Sequence, residues 1–313
     1  MSATLAPSVE QRETFACFGS RCTVIVADPL AHEAAAAVIV ARTRLLEWHD
    51  QFSRFQADSE LARLNANPAE IVHVSAMMRR VVEAAIRAAE STGGLVDPTL
   101  LDQIEHAGYD GHFDQPGLPL IDALAQAPAR HPGGPSSQQN WRSVRTDRRT
   151  STVTRPPGVR IDPGGIAKGV FADELAAALA THEAFVVECA GDLRLGGRLA
   201  PEREVHVASP FDDGIVHTFR LRSGGVATSG IGKRSWFGSD GGPAHHLLDP
   251  ATGRPAFTGV VQVTALAPTA MAAEALSKAA LLAGPAEADR MLPHGGVIVL
   301  DDGNYVVLDP GGY

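Results

Sequence analysis

The chain has 313 residues, a formal net charge of −9 at neutral pH, 44% hydrophobic residues and 20% charged residues. This composition is typical of a globular protein, and the length is sufficient to bury a sizeable core. The acidic balance argues against nucleic-acid binding, which normally requires a basic surface. No apolar run approaches the roughly 18–20 residues that cross a bilayer, so we expect no membrane insertion.

The cysteine content and the start of the chain bear on the compartment. Cys17, Cys22 and Cys189 are too few to form a closed disulfide framework, which fits a reducing environment. The first twenty residues lack the basic and apolar regions of a secretory signal. The expected localisation is therefore cytoplasmic.

Hydrophobic patterning predicts the elements of the first half. Residues 22–27 are β-branched and short, which predicts a strand. Residues 31–48 repeat apolar side chains with a helical period. A second helix is predicted to begin after the capping residue Ser75 and to end near Gly93. The apolar face of that helix holds Met78, Val81, Val82, Ala85 and Ala89.

The second half mixes strand and helix signals. Residues 141–159 are polar and hairpin-like, and the glycine-rich segment 160–169 is predicted to open a helix. Thr269 is predicted to cap a further helix that runs to Gly284, and a last hairpin turns near Asp302 and Gly303. The helix opened by segment 160–169 is predicted to carry Val170, Leu175, Ala178 and Leu179. Strands are predicted at 185–188, 204–208, 216–222 and 260–267.

The order of these elements predicts the fold class. Strands and helices do not alternate steadily, which favours an α+β fold with mixed or antiparallel sheets and packed helices over a doubly wound sheet. We expect a single domain over residues 1–313 with two closely packed lobes, 15–127 and 141–313. Residues 128–140 are rich in Pro, Gly and Ser and are predicted to be a loop or insertion between them.

Two glycine-containing segments are candidate anion sites. In residues 162–169 two glycines precede a helix that also carries Lys168, so backbone N–H groups and an ammonium could approach an anion. The alternative is a glycine turn needed for tight packing. Residues 226–230 combine hydroxyl side chains with a glycine and could bind phosphate or ribose, although an ordinary turn at a strand end is the favoured interpretation.

Two further segments carry ionisable groups. His245 and His246 precede Asp249, so either histidine could act as a general acid or base, bind a metal or cap a strand end. Glu274 and Lys278 are four residues apart on one helix face. Such a pair is usually solvated, but this helix is rich in Ala and Leu. The GxSxG, HExxH and CxxC motifs are absent from the sequence.

Six segments, in order along the chain, resemble the conserved blocks of the ApbE family of FAD:protein FMN transferases. They are FSRFQADSELARLNA (52–66), GGLVDPTL (93–100), DPGGIAKGVFADELA (162–176), CAGDLRLGG (189–197), VATSG (226–230) and HHLLDPATGRP (245–255). The resemblance implies an ApbE-like, T-fold-like α+β architecture. It also implies an enzyme that transfers the FMN moiety of FAD to a Ser or Thr hydroxyl of a target flavoprotein and releases AMP.

The resemblance also implies roles for individual residues. His246 corresponds to the histidine that assists deprotonation of the acceptor hydroxyl. Phe18 stands where the family usually has a flavin-contacting Met, and Phe55 corresponds to an aromatic residue near the isoalloxazine ring. The remaining cofactor-binding positions are Leu95, Val96 and Asp97 on the adenine and ribose side, Gly164, Gly165, Lys168, Val170 and Asp173 in the pyrophosphate signature, and Thr228 and Leu248.

The sequence departs from the family at the metal site. Family members bind a divalent cation, usually Mg²⁺, through the carbonyl at the position of Ala167, an Asp at position 274 and a Thr at position 278. This chain has Glu274 and Lys278 there, and a protonated lysine cannot ligate a cation. An acidic residue of the family is also missing after Ser229 and Gly230.

Several hypotheses follow from these departures. In the first, Lys278 takes part in catalysis by replacing the metal, with Glu274 holding its ammonium. In the second, the chain is an FAD-binding protein without transferase activity. In the third, Mg²⁺ still binds through Glu274, Ala167 and phosphate oxygens. A non-enzymatic interaction protein, in which the motifs are packing turns, is the remaining alternative from another functional class.

Overall fold

The computed structural model describes residues 8–109, 111, 117–238 and 241–310. These residues form an α+β fold. Its helices are α1 (Ala31–Phe52), α2 (Glu60–Ala66), α3 (Ala76–Ser91), α4 (Leu101–His106), α5 (Leu120–Gln126), α6 (Ala167–Leu179) and α7 (Ala270–Ala283). Short 3-10 turns lie at Asn140–Ser143, Pro163–Gly165 and Asp289–Met291. No helix in this part of the chain combines the length and apolar character that a bilayer crossing requires.

The strands form one large sheet and several small ones. They are β1 (Val9–Cys17), β2 (Ser20–Asp28), β3 (Ile71–His73), β4 (Arg145–Asp147), β5 (Thr152–Thr154), β6 (Ala184–Cys189), β7 (Asp192–Gly196), β8 (Arg203–Ala208), β9 (Ile215–Leu221), β10 (Gly224–Gly230), β11 (Ser235–Phe237), β12 (Pro243–His245), β13 (Leu248–Asp249), β14 (Arg254–Pro255), β15 (Val260–Ala267), β16 (Gly296–Leu300) and β17 (Tyr305–Leu308). The large sheet has eight strands in the order β1-β2-β6-β7-β10-β15-β16-β17. All of its neighbouring strands pair antiparallel.

The register of the large sheet decides which side chains share a face. Cys22 of β2 lies opposite Cys189 of β6, which in turn lies opposite Asp192 of β7. Because side chains alternate along a strand, the pairing of β7 with β10 places Ser229 on this same face. The Ser229 hydroxyl lies 2.8 Å from the hydroxyl of Ser277 on α7. One face of the sheet therefore carries both α7 and the side chain of Asp192.

The long helices cover this face of the sheet. α1 packs on β1 and β2, α6 packs on β6 and β7, and α7 packs on β10 and β15. One apolar core lies between α1, α3, α6 and the first strands of the sheet, and a second lies around α7, β15 and β16. The first core draws residues from both sides of segment 128–140. The division into two closely packed lobes stays a prediction.

Most predicted elements are confirmed. The strand predicted at 260–267 coincides with β15, and the strand at 22–27 lies within β2. The helix predicted at 31–48 continues to Phe52. Thr269 caps α7 by accepting a hydrogen bond from the N–H of Ala272 at 3.2 Å. The predicted hairpins form as β4–β5 and β16–β17.

Some elements differ from the prediction. The sequence analysis did not predict β1, β3, β7, β10–β14, α2, α4 or α5. Residues 226–230, for which a turn at a strand end was the favoured interpretation, lie within β10. β1 is an edge strand whose outward positions are polar, and the three helices have only seven, six and seven residues, so their patterns are short. All four apolar residues predicted on the helix after residue 169 lie on α6, where Val170, Leu175 and Leu179 are buried and Ala178 is exposed.

Segment 128–140 is held against the protein by backbone contacts. It contains no helix or strand before the 3-10 turn at Asn140–Ser143. The N–H of Gly133 donates to the carbonyl of Leu282 at 2.7 Å. The N–H of Gly134 donates to Oδ1 of Asp249 at 2.9 Å. The segment therefore packs along the end of α7 and along the turn after β13.

Helices α6 and α7 approach closely at Gly169 of α6. A Cβ at this position would lie 2.6 Å from the backbone N and Cα of Met271 on α7. We expect Gly169→Ala to lower the free energy of unfolding by about 1–3 kcal/mol, because backbone atoms cannot move aside as a side chain can. Denaturant unfolding measures this change. At Gly134 a Cβ meets nothing closer than 3.5 Å, so a loss of stability in Gly134→Ala as large as that in Gly169→Ala would contradict this explanation.

Candidate active site

A glycine turn leads into α6 and is held by Asp162. Oδ1 of Asp162 accepts a hydrogen bond from the N–H of Gly164 at 2.8 Å. The N–H of Asp162 donates to the carbonyl of Pro98 at 2.8 Å. A Cβ on Gly165 would lie 3.5 Å from Cε of Lys278. The turn therefore brings the segment around residue 98 and the side chain of Lys278 to the beginning of α6.

Four charged side chains meet beneath this turn. Nζ of Lys168 lies 2.5 Å from Oδ2 of Asp192 and 2.6 Å from Oε1 of Glu274. Nζ of Lys278 lies 3.1 Å from the same Glu274 oxygen. The N–H of Gly169 donates to Oε2 of Glu274 at 2.9 Å. The two carboxylates are almost fully buried, with exposed fractions of 3% for Asp192 and 1% for Glu274. We call these four side chains the ion cluster.

The electrostatics of the ion cluster keep its central groups charged. Burial disfavours the charged form of Glu274, but the positive charges of Lys168 and Lys278 outweigh it and lower the pKa of Glu274 to about 2. Burial likewise opposes the charge of Lys168, while the charges of Asp192 and Glu274 raise its pKa. Burial and the charge of Glu274 raise the pKa of Asp192 to about 7. Burial lowers the pKa of Lys278, and the charge of Glu274 opposes this change. Glu274 and Lys168 are therefore ionised at neutral pH.

The ion cluster does not fit Mg²⁺. Mg²⁺ requires several hard oxygen ligands in near-octahedral geometry. Oε1 of Glu274 faces two ammonium groups and Oε2 accepts the N–H of Gly169, so both oxygens already have cationic or N–H partners. The side chain at the third expected ligand position is the ammonium of Lys278. Among the residues that the structure describes, no group of three or more His, Cys, Asp and Glu could hold a metal ion.

His246 lies between β12 and β13, at the side of the ion cluster. Its ring hydrogen-bonds to the backbone of Arg234. Its Nδ1 is buried and has no hydrogen-bond partner among the described residues. Burial lowers its pKa well below the ordinary value, and the positive charges of Arg234, His245 and Lys278 lower it further. The ring is therefore neutral at neutral pH, and Nδ1 can accept a proton.

His245 is instead buried and packs against Phe257. Its ring is 1% exposed and lies edge-on to Phe257 with the ring centroids 4.9 Å apart. Nδ1 accepts a hydrogen bond from the N–H of Leu247 at 3.3 Å. Burial lowers its pKa to about 4. Of the two neighbouring histidines, His246 is the one placed beside charged groups.

Phe18 borders the His246 side of the site. It lies in the β1–β2 turn with a positive φ of 54°. Its ring stacks on Phe171 of α6 at 5.4 Å between centroids. Its carbonyl accepts a hydrogen bond from Nη2 of Arg234 at 3.4 Å. Arg234 therefore links Phe18 to His246.

Phe55 borders the opposite side, beside the glycine turn. The guanidinium of Arg54 lies 4.3 Å from the ring centroid of Phe55 and 4.5 Å from that of Tyr109. Nε of Arg54 is 3.8 Å from Oδ2 of Asp162. Nη2 of Arg54 also donates to the carbonyl of Tyr109 at 2.6 Å. Arg54 therefore connects the aromatic residues to the turn that precedes α6.

Asp97 carries an unpartnered polar atom in the segment that joins the glycine turn. Oδ1 accepts hydrogen bonds from the N–H and the hydroxyl of Thr99, at 2.8 and 2.5 Å. Oδ2 is buried with no partner among the described residues, and burial raises the pKa of the carboxyl. Leu95 and Val96 pack beside it against the second core. Asp97 thus offers one free acceptor atom to a ligand.

The other predicted site residues are placed differently. Val170 and Leu248 are buried packing residues, and Ala167 is the buried first residue of α6. Asp173 accepts hydrogen bonds from the N–H groups of Ala270 and Met271, so it fixes the start of α7. The hydroxyl of Thr228 lies 2.8 Å from that of Thr264, on the face of the sheet opposite α7, and the Thr228 side chain is exposed. The structure does not bring Thr228 to the ion cluster.

Sequence reasoning missed three residues of this site. Asp192 lies within the segment 189–197, whose resemblance to the family was noted, but it was not singled out. Its only local signal is an acidic residue within a segment that resembles a family block. Arg54 and Arg234 were not selected because nothing in local spacing relates them to Phe55, Phe18 or His246.

The ion cluster predicts a large effect at Glu274. We expect Glu274→Gln to lower the free energy of unfolding by about 3–5 kcal/mol, because it leaves two buried ammonium groups with Asp192 as their remaining counter-charge. Chemical denaturation at neutral pH measures the change. The matched control is Glu287→Gln, since Glu287 forms an exposed ion pair with Arg290 and such pairs contribute about 0–1 kcal/mol. Equal effects of the two substitutions would show that the ion cluster does not contribute to stability.

Comparisons with known proteins identify relatives of this chain. A FAD:protein FMN transferase of Treponema pallidum is 30% identical over 289 residues, which covers 85% of this chain and 76% of the relative. A FAD:protein FMN transferase of Haemophilus influenzae is 27% identical, covering 75% of this chain and 68% of the relative.

Solved structures show the same fold. The ApbE protein of Thermotoga maritima has a TM-score of 0.77 and 28% identity, and the match covers 96% of this chain and 97% of that one. The flavinyl transferase ApbE of Pseudomonas stutzeri has a TM-score of 0.74 at 21% identity, covering 99% and 97%. Residues 18–300 match the ApbE family, and the chain therefore belongs to that family.

Proposed function

We propose that this protein transfers the FMN moiety of FAD to a hydroxyl group of a target protein and releases AMP. The observation that carries the proposal is the position of His246, whose unpartnered Nδ1 lies beside the positive charges of Arg234 and Lys278. A proton acceptor next to fixed cations suits the attack of a hydroxyl on a phosphate ester. The names of the relatives support the same reaction.

The transfer requires one bond to form and one to break. Nδ1 of His246 accepts the proton of the acceptor hydroxyl as its oxygen bonds to the phosphorus of the FMN half of FAD. The bond from that phosphorus to the bridging oxygen breaks, and AMP leaves with the bridging oxygen. Lys278 and Arg234 stabilise the negative charge that spreads over the phosphate oxygens. Charge stabilisation and positioning are the main contributions that a protein makes to phosphoryl-type transfer.

The aromatic residues at the two borders of the site suit the flavin. We assign the isoalloxazine ring to the region of Phe18 and Phe55, with Val170 and Leu248 as apolar packing. The adenosine half is assigned to Leu95, Val96 and Asp97, where the free Oδ2 of Asp97 can accept a hydrogen bond from a ribose hydroxyl. The pyrophosphate is assigned to the turn at Gly164 and Gly165, next to Lys278 and the ion cluster.

The proposed partner is a flavoprotein that presents a Ser or Thr to His246. Either hydroxyl fits the mechanism, because both deliver an oxygen nucleophile and one proton. The proposed compartment is the cytoplasm. All three cysteines are free thiols, although Cys22 and Cys189 lie opposite each other on neighbouring strands, which supports a reducing environment.

The reaction is tested with FAD and a panel of Ser- and Thr-containing flavin-acceptor peptides. We expect one acceptor to gain the mass of FMN while an equal amount of AMP appears. We expect His246→Gln to slow transfer by about 10²–10⁴-fold, the usual contribution of a general base, while FAD affinity stays within a few-fold. His206→Gln, on the exposed side of β8, is the matched control. Tight FAD binding without AMP release from any peptide would favour an FAD-binding protein without transferase activity.

The flavin assignment predicts an effect at Phe55. Loss of one stacking aromatic residue costs about 1–3 kcal/mol, so Phe55→Ala is expected to weaken FAD binding by about 5- to 150-fold. Quenching of flavin fluorescence on binding measures the affinity. Tyr305→Ala removes an exposed aromatic residue from the last strand of the sheet and should leave FAD affinity unchanged. Unchanged affinity in Phe55→Ala would overturn the assignment.

A further inference from the structure

We propose that the ammonium of Lys278, held by Glu274, binds the pyrophosphate of FAD in place of a divalent cation, so that FAD binding is independent of metal. This inference rests on the proposed function, because it concerns how the same site holds the same substrate. It departs from the metal site that the family resemblance implies, and it is carried by the contacts of the ion cluster.

The first step is that Glu274 is already neutralised. Its Oε1 lies between the ammonium groups of Lys168 and Lys278, at 2.6 and 3.1 Å. Its Oε2 accepts the N–H of Gly169 at 2.9 Å. A metal ion at Glu274 would displace these partners and leave two ammonium groups next to a divalent charge. The repulsion between those charges in a buried site makes that exchange unfavourable.

The second step distinguishes the two lysines. Nζ of Lys168 lies within 2.6 Å of two carboxylates, those of Asp192 and Glu274, so its charge is neutralised inside the cluster. Among the described residues, Lys278 forms an ion pair with one carboxylate, that of Glu274. An ammonium has three N–H donors, and among the described residues the side chain of Lys278 hydrogen-bonds to one carboxylate oxygen. Two donors therefore remain for a ligand.

The third step is the direction of those donors. The stem of Lys278 packs on Gly165, because a Cβ there would lie 3.5 Å from Cε. The charge of Lys278 also acts on His246, together with that of Arg234. Lys278 thus contacts the glycine turn, where the pyrophosphate is assigned, and lies near enough to His246 for its charge to act there. Ionised donors form strong hydrogen bonds to phosphate oxygens.

The inference is tested by titrating FAD into the full chain, first with EDTA and then with Mg²⁺, and following flavin fluorescence. We expect the wild-type dissociation constant to agree within about two-fold under the two conditions. Lys278→Gln should weaken binding by about 10- to 150-fold, the range for a hydrogen bond to a charged group, and Mg²⁺ should not restore it. Arg220→Gln, which removes a charge from the exposed ion pair with Glu204, should bind as wild type does.

A second variant converts the site. Lys278→Asp places two carboxylates four residues apart on α7, both of them hard oxygen ligands. We expect this variant to bind FAD weakly in EDTA and to recover at least ten-fold in Mg²⁺. Thermal unfolding of each variant establishes that it is folded. If Lys278→Asp does not fold, the comparison of wild type with Lys278→Gln decides the question alone.

The outcomes separate this inference from the proposed function. Wild-type binding that requires Mg²⁺, or Lys278→Gln binding as tightly as wild type, overturns the inference and leaves FMN transfer intact. Absence of FAD binding under every condition overturns both. Metal-independent FAD binding without transfer to any acceptor supports the inference on the pyrophosphate and removes the proposed transferase reaction.

Discussion

A buried carboxylate is stable only when its oxygens are hydrogen-bonded or paired with charge, and Glu274 meets this condition through both helices that frame the site. Lys168 and Gly169 of α6 bind it from one side, and Lys278 of α7 binds it from the other. The backbone N–H of Gly169 can reach Glu274 because α6 and α7 approach without an intervening side chain. Tight helix packing and the ion cluster are therefore two aspects of one contact, and the rest of the site is arranged around it.

The sheet brings the remaining parts to this contact. Strand register puts Asp192 on the face that α1, α6 and α7 cover, and the packing of α6 on that face brings Lys168 to it. Asp173 and Thr269 fix the start of α7, which sets the height of Glu274 above the sheet. Residues outside the helices and the large sheet then join the site through individual contacts, such as those of Arg234 with Phe18 and of Arg54 with Asp162. This arrangement explains why segments spread over much of the sequence contribute to one site.

The sequence predicted those features that local physics determines. Thr269, the apolar strand 260–267 and the spacing of Glu274 and Lys278 were recognised because capping, β-branching and helical periodicity act within a few residues. β1 was missed because an edge strand carries polar residues on its open side. The contacts of Asp192 with Lys168 and of Arg54 with Asp162 were not predictable, since they depend on strand register and helix packing and not on spacing along the chain.

The separation of the ion cluster along the chain has a consequence for folding. Lys168 and Glu274 are 106 positions apart, so the cluster closes only after α7 has been synthesised and docked. Until then Asp192 is the only cluster carboxylate available to Lys168, and the face of the sheet that α7 covers is open to water. Topologies dominated by such distant contacts fold slowly. A chain lacking α7 would therefore expose the apolar surface that α7 covers and would lack both Glu274 and Lys278.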